Sequence, residues 1–337
     1  MRNFAHSRKC FDDVGMSLRL SDYDYELPSE LIATRPLSQR DQSRMMVLHR
    51  ANETIEHRKF GELKDFIRAD DLLVLNDTRV LTARKFSDDG AIEFLFLEKM
   101  APKRWKCLVR PGRKMRVGAT VKIDNVEARV EEILSDGERV VALNEDVDLF
   151  EGGSMPLPPY MKRESDALDL AQYQTVFARE PGAIAAPTAG LHFTPEILRE
   201  LPHTFVTLHV GPGTFRPVHS NNIVEHKMHA ERFAISDDAS RKIDNCQRVI
   251  AVGTTVVRVL ETFAGAGERE GETNIFIYPP FEFRVVDALL TNFHLPRSTL
   301  LMLVSAFADR EFVLRAYAEA IRERYRFYSY GDCMLIL

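Results

Sequence analysis

The chain has 337 residues, 45% of them hydrophobic and 28% charged, with a formal net charge of -5. That length allows a large core and two domains, and the ordinary composition excludes a low-complexity scaffold or a globally basic nucleic-acid binder, leaving charge to be read locally. Cys10, Cys107, Cys246 and Cys333 are scattered without a CxxC, which argues against a disulfide framework or zinc ribbon and suits a reducing, cytoplasmic compartment.

Residues 1–17 lack an apolar signal core and are expected to be a disordered extension. From there to residue 82 the texture is mixed α/β. ELPSELIA (26–33) predicts a short helix, RMMVLHR and TIEHRKF a hairpin, GELKDFIR a helix, and DDLLVLND (70–77) a buried strand.

The texture changes at residue 83. AIEFLFLE, RWKCLVR, TVKID, VEARVEEIL and RVVALN are short runs rich in β-branched and aromatic residues, divided by Pro-Gly, Val-Gly and Asp-Gly punctuation. Strands at that spacing predict a small all-β barrel, and because α/β texture lies on both sides, 83–154 reads as an insertion into a domain made of 18–82 and 155–337. Within it, residues 99–116 carry eight Lys or Arg and no acid, with Trp105 among them, a composition that suits either a phosphate backbone or a solvated face.

Beyond residue 170, TFVTLHV, VIAVG, NIFIYP, FRVVDALLTNF and CMLIL read as strands. TVVRVLETF places Val256, Val259, Leu260 and Phe263 at helical spacing. LLMLVSAFA (300–308) is about half a membrane span and reads as a buried helix, and Asp309 is an acceptable cap for the helix after it. Alternating strand and helix predicts an α/β fold, with a three-layer, largely parallel sheet covered on both faces.

Ligands of such sheets gather beyond the carboxyl ends of strands, where helix N-termini point. Four small polar turns fall at such places: NDTR (76–79), VGPGTF (210–215), GTT (253–255) and TNFHLPRST (291–299). In GTT, the glycine frees the backbone while Thr254 and Thr255 offer hydroxyls and helix caps, which serves a ligand site or a plain capped turn equally. A fifth stretch, GAIAAPTAGLHFTPE (182–196), is stripped of large side chains before His192, as close approach to a ligand or to another backbone requires. Six of the ten histidines lie between 192 and 229, and His226 and His229 would share a helix face. A metal-dependent hydrolase is therefore one alternative, although HEXXH is missing; a non-catalytic RNA-binding protein using the basic barrel is another.

Read together, these segments are similar to the S-adenosylmethionine:tRNA ribosyltransferase-isomerases of queuosine biosynthesis. The matching blocks run in order from about Leu20 to the end and include YDYELPSELIATRPL, DDLLVLNDTRV, PLPPY, GAIAAPTAGLHFT, FVTLHVGPGTFRPV, HKMHAERFAI, VIAVGTTVVRVLE, VVDALLTNFHLPRSTLLMLVSAFA and YRFYSYGDCMLI. Departures fall at loops or edges: Pro280 stands where the family has glycine, and Thr82 replaces a proline.

The resemblance implies transfer and isomerisation of the ribosyl moiety of S-adenosylmethionine onto 7-aminomethyl-7-deazaguanine in the tRNA anticodon. Epoxyqueuosine-tRNA, adenine and methionine would be the products. S-adenosylmethionine would be a substrate, with no cofactor and no metal, and a monomer is the default expectation. It also implies an α/β domain carrying an inserted barrel. His192, His209, His229 and His294 lie in matching blocks and become the candidates for proton transfer. Thr254, Thr255 and Arg258 are expected to line the substrate pocket with Asp77 and Arg79 beside them, followed by Asn292 and Asp332. For tRNA the candidates are Lys103, Arg104, Lys106, Arg110, Arg113 and Lys114, with Lys162 and Arg163.

Overall fold

The computed structural model describes residues 18–215, 218 and 220–337; the expected extension at 1–17, like His219, lies outside the described residues. The hairpin forms as expected: β1 (Arg44–His49) pairs antiparallel with β2 (Thr54–Lys59). β3 (Asp71–Asn76) is buried at every position, as an unbroken apolar run demands. The two short helices expected nearby are 3-10 segments instead, Ser29–Leu31 and Phe60–Phe66. In the second, only Phe60 and Leu63 are buried, which anchors single turns rather than a full α-helical stripe.

After the short β4 (Thr78–Val80) come β5 (Arg84–Phe86), β6 (Glu93–Ala101), β7 (Arg104–Arg110), β8 (Thr120–Ile123), β9 (Val126–Ile133) and β10 (Arg139–Leu143). These six form one wholly antiparallel sheet in the order β5-β6-β7-β10-β9-β8. The sheet curls toward closure, with Asp88 N donating to Lys122 O at 2.9 Å, and encloses its own core of Phe94, Phe96, Trp105, Ile123, Val141 and neighbours. The chain enters and leaves side by side: Arg84 and Ser154 exchange two backbone hydrogen bonds of 3.1 and 2.8 Å. A side chain at Gly153 would lie 2.0 Å from Thr82 O, so glycine is needed where the two segments touch.

The remaining elements are α1 (Ala167–Gln172), β11 (Glu180–Ala183), α2 (Pro195–Glu200), β12 (His203–Leu208), β13 (Glu231–Ala234), α3 (Asp237–Asn245), β14 (Arg248–Val252), α4 (Thr254–Ala266), β15 (Glu270–Thr273), β16 (Ala288–Asn292), α5 (Thr299–Ala308), α6 (Arg310–Arg322) and β17 (Cys333–Ile336). NIFIYP (274–279) is not a strand; the ladder position goes to β15 just before it, and Ile277 is buried from a loop. Residues 226–230 carry no helix, so His226 and His229 do not share a helix face.

The large sheet has nine strands in the order β15-β13-β12-β3-β14-β16-β17-β1-β2. The expected largely parallel sheet is mixed. β12, β3, β14 and β16 run parallel, but β17 is antiparallel to β16, and both edges end in antiparallel pairs. The cause is the connection: α5 and α6 pack as a helical pair that returns the chain to the end of the sheet it left. Alternation divides the side chains between two cores. Leu72, Val74, Val249 and Ala251 pack with α4, α5 and α6, while Leu73, Leu75, Ile250 and Val252 pack with Phe60, Leu63, Phe193 and α2. Among the described residues no helix is long and apolar enough to cross a membrane.

Candidate active site

β14 is followed by Gly253, whose φ of 96° lies where only glycine is at ease, and the chain turns there directly into α4. Threonine capping of that helix does not occur. α1, α2, α3, α5 and α6 each have a side chain accepting at the N-terminus, whereas α4 has none. Val256 and Val257 N–H donate to Gly253 O at 3.1 and 3.3 Å, so among the described residues the Thr254 and Thr255 N–H groups are the ones left for another acceptor. A cleft opens over this turn. Its wall is built by Ala185–Ala189, by Gly253, Thr254, Thr255 and Arg258, by Thr291–Leu295 beyond β16, and by Tyr160, Tyr173, Tyr328 and Ser329. The cleft therefore lies at the carboxyl ends of β14 and β16, the position open α/β sheets favour.

The small residues of 182–190 serve two purposes. Ala185, Ala186 and Ala189 line the cleft. Gly182 and Gly190 allow close packing: a Cβ would lie 2.6 Å from His209 Nδ1 in the first case and 2.8 Å from Thr175 Cγ2 in the second.

Arg258 is buried and lines the cleft, its Nη1 bonded to the buried Glu231 and its Nη2 donating to Thr273 O at 3.2 Å. Glu231 also accepts from Gly211 N at 2.8 Å, so this carboxylate fixes the guanidinium. The Arg258 Nε–H is buried without an acceptor among the described residues. An unpaired donor of that kind is a standing cost that a ligand oxygen would relieve.

His294 is buried, lines the cleft, and holds its Nε2 2.8 Å from Thr291 Oγ1; its Nδ1 makes no hydrogen bond among the described residues. Burial pushes its pKa down to about 3, so the imidazole is neutral at pH 7. Its backbone is also pinned, its N–H donating to Tyr317 Oη at 2.9 Å.

His192 sits behind the cleft, in a smaller pocket with Arg40, Ser43 and Tyr330. Asn292 Nδ2 donates to Tyr328 O at 2.9 Å, so Asn292 Oδ1 accepts, and His192 Nε2–H donates to it at 3.1 Å. His192 Nδ1 then accepts from Ser43 Oγ at 2.8 Å. With both nitrogens engaged and burial lowering the pKa to about 4, His192 is a neutral strut rather than a group open to the cleft.

The other sequence candidates separate. Asp77 is buried away from the cleft, accepting from Thr207 Oγ1 at 2.7 Å and Arg179 Nη2 at 2.5 Å, and so ties β3 to β12. Arg79 is exposed on β4. Asp332 accepts from the Arg44 and Arg326 N–H groups at 2.8 and 2.7 Å, and burial raises its pKa. His209 is half-buried against Thr78 Oγ1 at 2.9 Å, and His229 is exposed beside Gly213. The structure does not bring these five to the cleft. Among the described residues no three His, Cys, Asp or Glu side chains converge as a metal site would need.

On the smaller sheet, Trp105 is not a surface ring: it is buried against Phe96 and Phe150 in the sheet's own core. Lys103 donates to Asn144 O, Arg104 pairs with Glu131, and Lys106 with Glu98. Arg163 forks onto the buried Asp169 at 2.6 and 2.7 Å, a structural clamp. Arg110, Arg113, Lys114 and Lys162 are exposed and make no side-chain hydrogen bond or salt bridge among the described residues. Sequence reasoning passed over Tyr160, Tyr173, Tyr328, Ser329, Thr291, Glu231 and Ser43. The signals available were the aromatic blocks PLPPY and YRFYSYGD and the acid of HAERF.

A family described as queuosine biosynthesis protein matches residues 20–336. A protein of Thermotoga petrophila named S-adenosylmethionine:tRNA ribosyltransferase-isomerase is 49% identical over 95% of this chain and 100% of its own length. One of the same name from a Sulfurihydrogenibium species is 47% identical over the same shares. The crystal structure of an S-adenosylmethionine tRNA ribosyltransferase from Thermotoga maritima is 41% identical, covers 94% of this chain and 100% of that one, and superposes with a TM-score of 0.55.

Proposed function

The chain belongs to the queuosine biosynthesis protein family, and we propose that the cleft over Gly253 is where it acts as an S-adenosylmethionine:tRNA ribosyltransferase-isomerase. It is a transferase whose substrates are S-adenosylmethionine and tRNA. The metal-dependent hydrolase and the non-catalytic RNA binder have no support beside that family membership. One observation carries the placement: Thr254, Thr255, Arg258, Asn292 and His294, from two separate turns, line a single cleft.

In the finer reading, the ribosyl part is transferred to the amine of 7-aminomethyl-7-deazaguanine in the anticodon. Rearrangement gives epoxyqueuosine-tRNA as adenine and methionine depart. The uncapped start of α4 and the Arg258 Nε–H would receive the methionine carboxylate. A sulfonium acidifies the adjacent 5′ carbon, and His294 Nδ1 is the base that would take that proton. Because its imidazolium is strongly disfavoured by burial, it would pass the proton on to the departing adenine. His192, Ser43 and Asn292 would position the Tyr328–Ser329 wall. S-adenosylmethionine is consumed as a substrate, and the chemistry as written calls on no cofactor or metal.

We also read the two cores of the large sheet as a three-layer arrangement, residues 18–82 and 155–337 as the catalytic domain, and 83–154 as an inserted barrel that meets tRNA through Arg110, Arg113 and Lys114. The working form would be a cytoplasmic monomer. Incubation with S-adenosylmethionine and tRNA bearing the aminomethyl-deazaguanine tests the function. Free adenine and a modified nucleoside are expected in equal amounts; adenine-free mixtures with unmodified tRNA would refute it.

A further inference from the structure

The cleft holds a charge problem that its family membership does not solve. Apart from Arg258, its lining has no charged side chain and no carboxylate among the described residues. Glu231, which holds Arg258, is committed to that guanidinium and to Gly211 N. A sulfonium bound in this cleft therefore finds no anion to face. What the wall does offer is aromatic: Tyr160, Tyr173 and Tyr328 all line it.

Their placement is built. Tyr160 and Tyr328 have ring centroids 4.7 Å apart at an interplanar angle of 59°, a tilted, wedge-shaped pair in mutual contact rather than a parallel stack. Tyr328 holds a left-handed φ of 72°, a strained backbone for an aromatic residue. The turn around it is fixed by Gly331 N donating to Tyr328 O at 2.9 Å, by Asp332 N donating to Arg326 O at 2.8 Å, and by Asn292 Nδ2 on the Tyr328 carbonyl. A side chain at Gly331 would come within 2.5 Å of Arg326 O, so the turn cannot loosen without losing its shape. Tyr160 is locked to the same turn, its hydroxyl bonded to Ser329 Oγ and accepting from Ser329 N at 3.1 Å.

We propose that the Tyr160–Tyr328 wedge, with Tyr173 beside it, is the sulfonium subsite of this cleft, holding the positive sulfur against aromatic faces in place of a carboxylate. The inference rests on the cleft being the S-adenosylmethionine site. Burial pushes both hydroxyls up to about 12, so they stay neutral phenols, and the attraction comes from the ring faces. A neutral wedge also suits the reaction: a carboxylate against the sulfonium would offset the very charge that acidifies the 5′ carbon.

The test compares binding of S-adenosylmethionine with that of S-adenosylhomocysteine, the neutral thioether, by calorimetry on the full chain. The wild type should favour the sulfonium by about tenfold or more, the scale of a desolvated cation–π contact. Tyr328→Phe should keep that ratio. Tyr328→Leu and Tyr160→Leu, each checked for folding by near-UV dichroism, should lower it toward one while S-adenosylhomocysteine affinity changes little. Equal wild-type affinity for the two ligands would overturn the proposal without any variant being needed. Equal losses for both ligands in the Leu variants would also overturn it, because the rings would then be gripping the nucleoside. A wild type that binds neither ligand would instead remove the underlying assignment of the cleft, and this subsite with it.

Discussion

Arg258→Lys isolates what the guanidinium fork adds to the cleft. Lysine keeps a cation for Glu231 but cannot supply the Nε–H that is buried without an acceptor, nor a second donor to Thr273 O. If that Nε–H meets the methionine carboxylate, the lost charge-assisted hydrogen bond is worth about 1.5–3 kcal/mol, or roughly tenfold to 150-fold in affinity. Calorimetric titration should show weaker binding of S-adenosylmethionine by that factor. Decarboxylated S-adenosylmethionine, which lacks the group, should bind the variant and the wild type alike. A parallel Glu231→Ala variant separates the structural side: it leaves Arg258 buried and unpaired, costing about 3–5 kcal/mol of stability by denaturant titration. A folded Arg258→Lys protein that loses affinity equally for both ligands, or for neither, would refute the carboxylate assignment.

Four further outcomes are expected. His294→Asn should leave S-adenosylmethionine binding within a few fold while reducing single-turnover adenine release by about a hundredfold or more, measured by rapid quench; full single-turnover activity would remove His294 from proton transfer. The same variant should change the acid response. Buried neutral His294, with a pKa of about 3, binds no proton between pH 6.5 and 4, whereas the unfolded chain does, so stability falls as pH drops through that window. Without His294, the slope from denaturant midpoints should shallow by up to about 1.4 kcal/mol per pH unit. His192→Ala should act on the fold, leaving a cavity, orphaning Asn292 Oδ1 and leaving Ser43 Oγ only Arg40 O, and costing about 2–4 kcal/mol in the melt; an unshifted midpoint would contradict the strut. Replacing Arg110, Arg113 and Lys114 by Ala should lower the salt slope of tRNA binding more than replacing Lys103, Arg104 and Lys106, whose charges are already partnered; equal slopes would contradict that placement.

Strand positions were legible because burial on both faces leaves an unbroken apolar run, as in DDLLVLND, and burial on one face leaves alternation, as in VEARVEEIL. Direction in the sheet was not legible. That β17 opposes β16 depends on two helices lying between them rather than one, a count the sequence shows but local pattern does not interpret. NIFIYP has the composition of a strand and becomes a loop, since tertiary pairing chose the residues before it.

At the cleft, the GTT and TNFH turns pointed to Thr254, Thr255, Asn292 and His294 through their position after buried strands. The same logic misplaced Asp77. An acid after a strand looks identical in sequence whether it meets a ligand or its own fold, and Asp77 meets Thr207 and Arg179; Asp332, just before β17, meets the Arg44 and Arg326 amides. Tyr160 and Tyr328 were passed over because aromatic residues in loops read as core, and only the fold brings positions 168 apart to one wall. Trp105 errs the other way, its basic neighbours suggesting a surface ring where the six-stranded sheet needed a core.

The central claim, that the nucleoside lies over the start of α4, is tested most directly by amide hydrogen exchange with and without S-adenosylmethionine. Protection should concentrate in residues 185–189, 253–257, 291–295 and 326–330, which share the cleft wall or its supporting turn. Protection confined to the six-stranded sheet or to the β4 region, with those four segments unchanged, would contradict it.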